Sequence, residues 1–176
     1  MKNVFDITKH PITKILIVAM LALLAIGTWM FHNFYESKIG KEQPIPFSHR
    51  VHVENKNISC VMCHEGAIQT SRAGVPPVET CMLCHEKIIV HHPEIQKIHD
   101  HYNNNEPIYW EKVNEVPDFV FFNHSLHTFR QIDCGECHGN IQAMDRVTRA
   151  HELNMGFCVE CHKEKEASID CFTCHR

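Results

Sequence analysis

Ten cysteines constrain the fold of this 176-residue chain more than any other feature. They form five pairs, and each pair encloses two residues. In every pair a histidine follows the second cysteine, so the motif C-x-x-C-H occurs five times and uses every cysteine. The motifs are Cys60-Val-Met-Cys63-His64, Cys81-Met-Leu-Cys84-His85, Cys134-Gly-Glu-Cys137-His138, Cys158-Val-Glu-Cys161-His162 and Cys171-Phe-Thr-Cys174-His175.

Paired cysteines can form disulfides, bind zinc or attach haem. Two thiols on one helical turn reach the two vinyl groups of one porphyrin, and the next residue directs its imidazole at the iron. Zinc would leave an odd fifth pair and would give the trailing histidine no role. A two-residue loop is also too tight for a common structural disulfide. The motifs therefore predict five covalent c-type haems, with the ten cysteines as attachment points and His64, His85, His138, His162 and His175 as proximal iron ligands.

This composition limits the fold and the function. A formal charge of −4 without a long basic block gives no indication of nucleic-acid binding. About 29 residues per haem remain after residue 33, so porphyrin faces must supply most of the buried apolar surface. We expect a mostly irregular chain with short α-helices, following one N-terminal transmembrane helix. We also expect a small β-hairpin at Val116–Phe122 and an unfolded apoprotein.

Residues 15–31 form an uncharged run that, with its apolar flanks, approaches the ~20 residues of a membrane-spanning helix. Lysines precede it and Glu36 follows, so the positive-inside rule places the N-terminus in the cytoplasm and the haem domain on the periplasmic side of the inner membrane. A cleaved signal peptide is the alternative, but no small-x-small cleavage site follows the run. We predict an uncleaved single-pass anchor, in which His10 and His32 are interfacial. The lysines are Lys2, Lys9 and Lys14, and the outer aromatic belt is Trp29, Phe31, Phe34 and Tyr35.

A second repeat, F-x-H-x-x-H, supplies candidates for the other axial ligand of each iron. It occurs at residues 47–52 and 122–127, and a C-x-x-C-H motif follows each copy after a similar distance. Histidines three residues apart share a helical face, although they can also point to two neighbouring haems. The repeat predicts a two-haem module at 37–90 and a three-haem module at 121–176, after an anchor at 1–36. Residues 91–120 form the linker, and within them residues 103–120, rich in proline and aromatic residues, are a candidate docking segment.

The arrangement of both motifs resembles the class III multihaem cytochromes. The resemblance implies that the first histidine of each repeat serves the nearest haem, the second serves the next one, and an isolated histidine serves the last. The implied distal ligands are His49 for the Cys60/Cys63 haem, His52 for Cys81/Cys84, His124 for Cys134/Cys137, His127 for Cys158/Cys161 and His151 for Cys171/Cys174.

Other side chains compete for these roles. Met144 and Met155 lie near the last motifs, and a methionine ligand to one haem stays open. The remaining histidines lie in a charged stretch, which favours a solvated helix or loop face. They are His91, His92, His99 and His101.

A wider resemblance covers roughly residues 40–176. The strings QPIPFSH (43–49), AGVPPVETCM (73–82), PEIQKI (93–98), PIYW (107–110), VPDFVFFNH (116–124) and NMGFCVECH (154–162) carry it. They are similar to the pentahaem, membrane-anchored subunit of alternative complex III, a quinol:electron-acceptor oxidoreductase, and related subunits occur in menaquinone reductase complexes. Asn114 departs from that family, whose members often have a histidine near this position. A haem that depends on this histidine must use another ligand or stay open.

The resemblance implies an electron-transfer subunit rather than an enzyme. Its expected partners are iron–sulfur and quinone-binding membrane subunits, with a cytochrome c or an oxidase as acceptor. One alternative is a stand-alone membrane-anchored quinol dehydrogenase with one five-coordinate haem. Another is a nitrite or hydroxylamine reductase, which needs an open iron and usually a distinctive proximal ligand. Every motif here ends in histidine.

Overall fold

The computed structural model describes residues 11–175, with the backbone alone for residues 35–39. The chain divides into two compact units, Met1–Ile39 and Gly40–Arg176. The predictions for Lys2, Lys9 and His10, and for the side chains of Tyr35 and Glu36, lie outside the described residues.

The first unit contains one long helix, α1 (Pro11–Ile39). Within α1, Pro11–Phe34 is long enough and apolar enough to cross a membrane, with a mean hydropathy of 2.2. Its polar side chains bond to its own backbone, since Thr28 Oγ1 donates to the Ala25 carbonyl at 2.9 Å and Asn33 Nδ2 to that of Trp29 at 2.8 Å. The predicted N-terminal apolar helix is confirmed.

The second unit consists of short helices joined by coil. A π-helical turn (Arg50–Glu54) and a 3₁₀ turn (Ile141–Ala143) accompany the α-helices. The predicted fold class is confirmed, because residues 11–175 contain no β-strand and the helices after α1 span eleven residues at most. These helices are α2 (Cys60–Cys63), α3 (Gly66–Gln69), α4 (Val78–His85), α5 (Pro93–Asn103), α6 (His124–Phe129), α7 (Cys134–His138), α8 (Met155–Glu164) and α9 (Cys171–Cys174).

Packing between side chains in the second unit is concentrated in one small cluster. The side chains that are buried among the described residues come from α4, α5 and the coil before them, and Cys81, Ile108 and Trp110 pack against them. A cluster of this size is small for a unit that begins at Gly40 and ends at Arg176. This small cluster agrees with the expectation from the sequence that porphyrin faces supply most of the buried apolar surface. The buried residues are Ile45, Val78, Met82, Ile95 and Ile98.

The predicted β-hairpin at Val116–Phe122 is wrong. Pro117 begins a turn, and its carbonyl accepts a hydrogen bond from the Val120 amide at 2.9 Å. The residues after this turn pair with the end of the chain instead: Val120 forms an isolated antiparallel bridge with His175, and the Phe121 amide donates to the Cys174 carbonyl at 2.7 Å. Pro117 has no amide hydrogen to donate, so it cannot form the backbone hydrogen bonds that a hairpin would need at this point. The segment therefore holds the last C-x-x-C-H motif.

Hydrogen bonds attach the central part of residues 91–120 to both neighbouring segments. Gln43 makes two of them with the backbone of Glu111, through its Nε2 at 3.1 Å and its Oε1 at 2.9 Å. The guanidinium of Arg149 donates to the Val113 carbonyl at 3.1 and 3.2 Å. Tyr109, which precedes both attachments in the chain, remains 80% exposed.

Gly139 is required by the turn that follows α7. Its φ of 69° and ψ of −162° are essentially restricted to glycine. A Cβ there would also lie 2.5 Å from the Ala150 Cβ. We expect Gly139→Ala to lower the free energy of unfolding of the holoprotein by about 3 kcal/mol, from backbone strain and overpacking together.

The matched control for this substitution is Gly74→Ala. Gly74 also has a positive φ, of 70°, but a Cβ there would meet nothing within 4 Å. Its cost should be about 1 kcal/mol, from the backbone conformation alone. Thermal unfolding of both variants measures the difference, and equal losses would contradict the close approach to Ala150.

Candidate haem sites

Side-chain caps begin three of the helices that carry the cysteine motifs. Asp133 Oδ1 accepts from the Gly135 amide at 2.7 Å at the start of α7, and Asp170 Oδ1 accepts from the Phe172 amide at 2.9 Å at the start of α9. Asn154 caps α8 in the same way through Phe157, at 3.0 Å. These caps satisfy amides that have no intrahelical partner, so a helical turn forms where both thiols must lie on one side.

All ten cysteines are free thiols and none is fully buried. Burial raises the pKa of Cys63, Cys134, Cys137 and Cys158. In each case the second-largest cause is the charge of a thiol from another motif, which raises the pKa as well. Thiols of different motifs therefore interact electrostatically, although the motifs are far apart in sequence. The interacting thiols are Cys84 for Cys63, Cys60 for Cys134, Cys161 and Cys158 for Cys137, and Cys174 for Cys158.

The phenylalanine of each F-x-H-x-x-H repeat contacts both of its histidines. Phe47 lies edge-on to His49, with ring centroids 4.9 Å apart, and stacks on His52 at 4.3 Å. Phe122 likewise lies edge-on to His124 at 4.7 Å and packs on His127 at 4.5 Å. The second histidine of each copy also donates from Nδ1 to a carbonyl four residues earlier, Ser48 at 2.9 Å and Asn123 at 2.7 Å. The two copies thus orient their imidazoles in the same way.

Three of these imidazoles face the proximal histidine of the haem assigned to them. The ring centroids lie 6.0 Å apart for His52 and His85, 6.4 Å for His124 and His138, and 6.2 Å for His127 and His162.

Two imidazoles that ligate one metal from opposite sides have ring centres about 6 Å apart, from metal–nitrogen bonds of about 2 Å and the radius of each ring. The dihedral angle between two such rings can take any value. The separations in this structure therefore fit an iron between each pair.

Hydrogen bonds at Nδ1 leave Nε2 available for iron. A second-shell carbonyl that accepts from one ring nitrogen fixes the tautomer and orients the ring. In this structure six of the ten predicted ligands have such a bond. They are His52 to Ser48, His64 to Gly74 at 2.8 Å, His85 to Ile88 at 3.3 Å, His124 to Ser71 at 3.1 Å, His127 to Asn123, and His162 to Ser168 at 2.6 Å.

The resemblance assigns His49 to the same haem as His64, and this assignment stays a prediction. Burial is the largest of three effects that together lower the pKa of His49 to about 4, and the charges of His64 and then His52 are the smaller two. This imidazole is therefore neutral, which is the form that binds a metal. Its Nδ1 is buried without a hydrogen-bond partner, as is Nδ1 of His138.

The structure does not bring His151 and His175 together. His151 is exposed and stacks on Phe157, with ring centroids 5.1 Å apart. His175 stacks on Phe119 at 5.8 Å. The assignment of His151 to the last haem stays a prediction. Met144 is half-buried and accepts a long hydrogen bond of 3.9 Å from Thr148, whereas Met155 is 70% exposed. At Asn114, where the related family often has histidine, Oδ1 is buried without a partner.

His99 has a contact that the sequence did not reveal. The solvated interpretation fits His91 and His92, which are exposed, but His99 and His101 are half-buried. His99 donates from Nε2 to the His85 carbonyl at 2.9 Å, so it holds the end of α4 that carries a predicted proximal ligand. His99 lies four residues after the buried Ile95, on the same face of α5, and this spacing was the sequence signal that could have indicated its contact.

This chain is similar in sequence to known proteins, at its end and along most of its length. Residues 120–176 match the family of cytochrome c7 and related cytochrome c. Covalently bound haem c is therefore the cofactor that this segment implies, and its three motifs supply the thiols. Over 187 aligned positions the chain is also 28% identical to the menaquinone reductase multihaem cytochrome c subunit of Nitratidesulfovibrio vulgaris, spanning 90% of this chain and 88% of that protein.

Proposed function

We propose that this chain carries electrons through five covalently bound c-type haems, as the membrane-anchored subunit of a respiratory menaquinol:electron-acceptor oxidoreductase. The single observation that carries the proposal is the set of three histidine pairs with ring centroids 6.0–6.4 Å apart. Each pair combines a proximal histidine of a C-x-x-C-H motif with a distal histidine of the repeat. An iron with two histidine ligands has no open position for a substrate, so it suits electron transfer rather than catalysis.

The residues of this chain bind and orient the cofactor, while haem iron supplies reversible one-electron chemistry. Cysteine thiols fix each porphyrin, and backbone carbonyls hold the imidazoles through Nδ1. Phe47 and Phe122 each pack against both imidazoles of their own repeat. The chain itself thus contributes position and ligand basicity.

The proposal includes a complex and a location. The similarity to a menaquinone reductase subunit supports partners that bind quinone and iron–sulfur clusters, with a cytochrome c or an oxidase as acceptor. We assign the complex to the alternative complex III type, with α1 in the inner membrane and the haem unit on the periplasmic side. Residues 103–120 remain our candidate docking segment.

Purification in mild detergent tests this function. We expect the chain to copurify with membrane and iron–sulfur subunits, and a menaquinol analogue to reduce its haems only in that complex. A chain that is purified alone and is still reduced by the quinol would contradict the assignment to a complex. A Ser variant of all ten cysteines is the control, because it removes haem without changing the anchor.

One observation favours a second candidate, a stand-alone quinol dehydrogenase. Because His151 and His175 lie apart in this structure, the haem at Cys171/Cys174 could keep an open position. For that candidate, the oxidised protein must give a high-spin signal. The reduced protein must bind carbon monoxide. Entirely low-spin spectra would exclude it.

A further inference from the structure

We propose that the haem-attachment motifs follow one another in space in the order second, first, third, fourth, fifth, so that the first motif joins the two modules. This inference rests on the proposed function, because it gives that function its internal route. The sequence separates the modules between the second and third motifs and so suggests a contact there. The hydrogen bonds and ring contacts of the chain indicate a different junction.

The junction is formed by the segment after the first motif and by α6. The amides of His124 and Ser125 donate to the carbonyls of Ser71 and Thr70 at 3.2 and 3.1 Å. Thr128 Oγ1 donates to the Ala67 carbonyl at 2.9 Å. Nδ1 of His124 also donates to the Ser71 carbonyl, at 3.1 Å. The chain directly after His64 therefore orients a distal ligand assigned to the third motif.

The first and second motifs adjoin through the first repeat. Its two histidines are three residues apart, and Phe47 contacts both rings. His52 faces His85 of the second motif, and its carbonyl accepts a hydrogen bond at 3.1 Å from the amide of Ile58, two residues before the first motif. The second motif also packs through α4 on α5 and the small apolar cluster, so it lies at one end of the order.

The third and fourth motifs adjoin through α6 in the same manner. His124 faces His138 of the third motif, and His127, one turn later on α6, faces His162 of the fourth. One short helix therefore supplies a distal ligand to each of these two motifs.

The fourth and fifth motifs adjoin through Ser168. The Ser168 carbonyl accepts from Nδ1 of His162 at 2.6 Å, and its hydroxyl lies 2.9 Å from that of Thr173, within the fifth motif. The fifth motif is thus the other end of the order.

Two paired deletions test the order in the holoprotein. Cys60→Ser/Cys63→Ser removes the first motif, and Cys81→Ser/Cys84→Ser removes the second. Electron paramagnetic resonance of the oxidised proteins shows whether a haem signal is broadened by a neighbour or is isolated. We expect one isolated, unbroadened haem in the first variant and none in the second. The reverse result, with isolation only when the second motif is removed, would overturn the proposal.

Amide exchange in the unmodified holoprotein gives a second measurement in case a deletion variant misfolds. The first amides of a helix have no intrahelical partner, so slow exchange at His124 and Ser125 reports their bonds to Ser71 and Thr70. We expect both to be protected about tenfold or more, and Thr128→Val to weaken that protection. Thr148→Val is the matched control, because that hydroxyl makes only a 3.9 Å bond to sulfur. Fast exchange at both amides in the unmodified protein would count against the junction.

Neither measurement requires a quinol or an electron acceptor. Failure of the order would therefore leave the proposed function standing, and failure of quinol-dependent reduction would leave the order standing.

Discussion

Replacing His127 by alanine should convert the haem at Cys158/Cys161 from a low-spin to a high-spin centre. His127 faces His162 with ring centroids 6.2 Å apart, and its Nδ1 is held by the Asn123 carbonyl. Without this imidazole one axial position opens, because the other half-buried histidine of α6, His124, already faces His138. We expect a high-spin signal equivalent to one haem and carbon monoxide binding to the same fraction after reduction.

Two further variants make this test specific. His127→Met should restore a low-spin haem and raise its reduction potential on the order of 0.1 V, since axial ligands set potentials over ~0.8 V. His91→Ala is the matched control, because His91 is exposed and should leave every spectrum unchanged. A fully low-spin His127→Ala protein would show that this histidine is not a ligand.

Preventing haem attachment should abolish the cooperative folding of residues 40–175. In that unit the buried side chains of the described residues are those of a single cluster of five. Burial on this scale is far too small to offset the conformational entropy lost by a chain of this length. Covalent haem would supply both the missing apolar surface and ten covalent links to the chain.

The Ser variant of all ten cysteines, in detergent, measures this effect by hydrogen exchange and calorimetry. We expect fast amide exchange throughout residues 40–175 and no cooperative thermal transition. The amides of α1 should remain protected, because its hydrogen bonds are internal and its apolar surface is covered by detergent. A cooperative transition of the apoprotein would contradict the inference that haem completes the core.

The parts of the site that the sequence predicted depend on local spacing. The two F-x-H-x-x-H repeats make the same ring contacts, because a phenylalanine two residues before the first histidine reaches both imidazoles, although one copy leads into a π-helical turn and the other into α6. Cap residues such as Asp133 and Asp170 stand directly before the cysteine motifs, so the short helices were also accessible. The fold class follows from the same local features, because the chain after α1 has few periodic apolar segments that would predict longer helices or strands.

What the sequence could not give are contacts made by backbone groups far apart in the chain. The carbonyls of Thr70 and Ser71 carry no sequence signal for their bonds to α6. The segment Val116–Phe122 is rich in β-branched and aromatic residues, which suits extended structure, but this composition does not specify the partner of a strand. Here the partner is Cys174–His175 and not the same segment folded back.

The contact between residues 66–71 and α6 also bears on how the molecule is made. Its bonds join residues 53 to 61 positions apart, so a ribosome releases the first motif well before α6 exists. Contacts of such high sequence separation form late, because closing a long loop costs entropy before any contact compensates for it. During that interval the thiols of the first two motifs remain accessible to the enzyme that attaches haem. The two halves of the protein would then be joined only after the N-terminal half has received its cofactors.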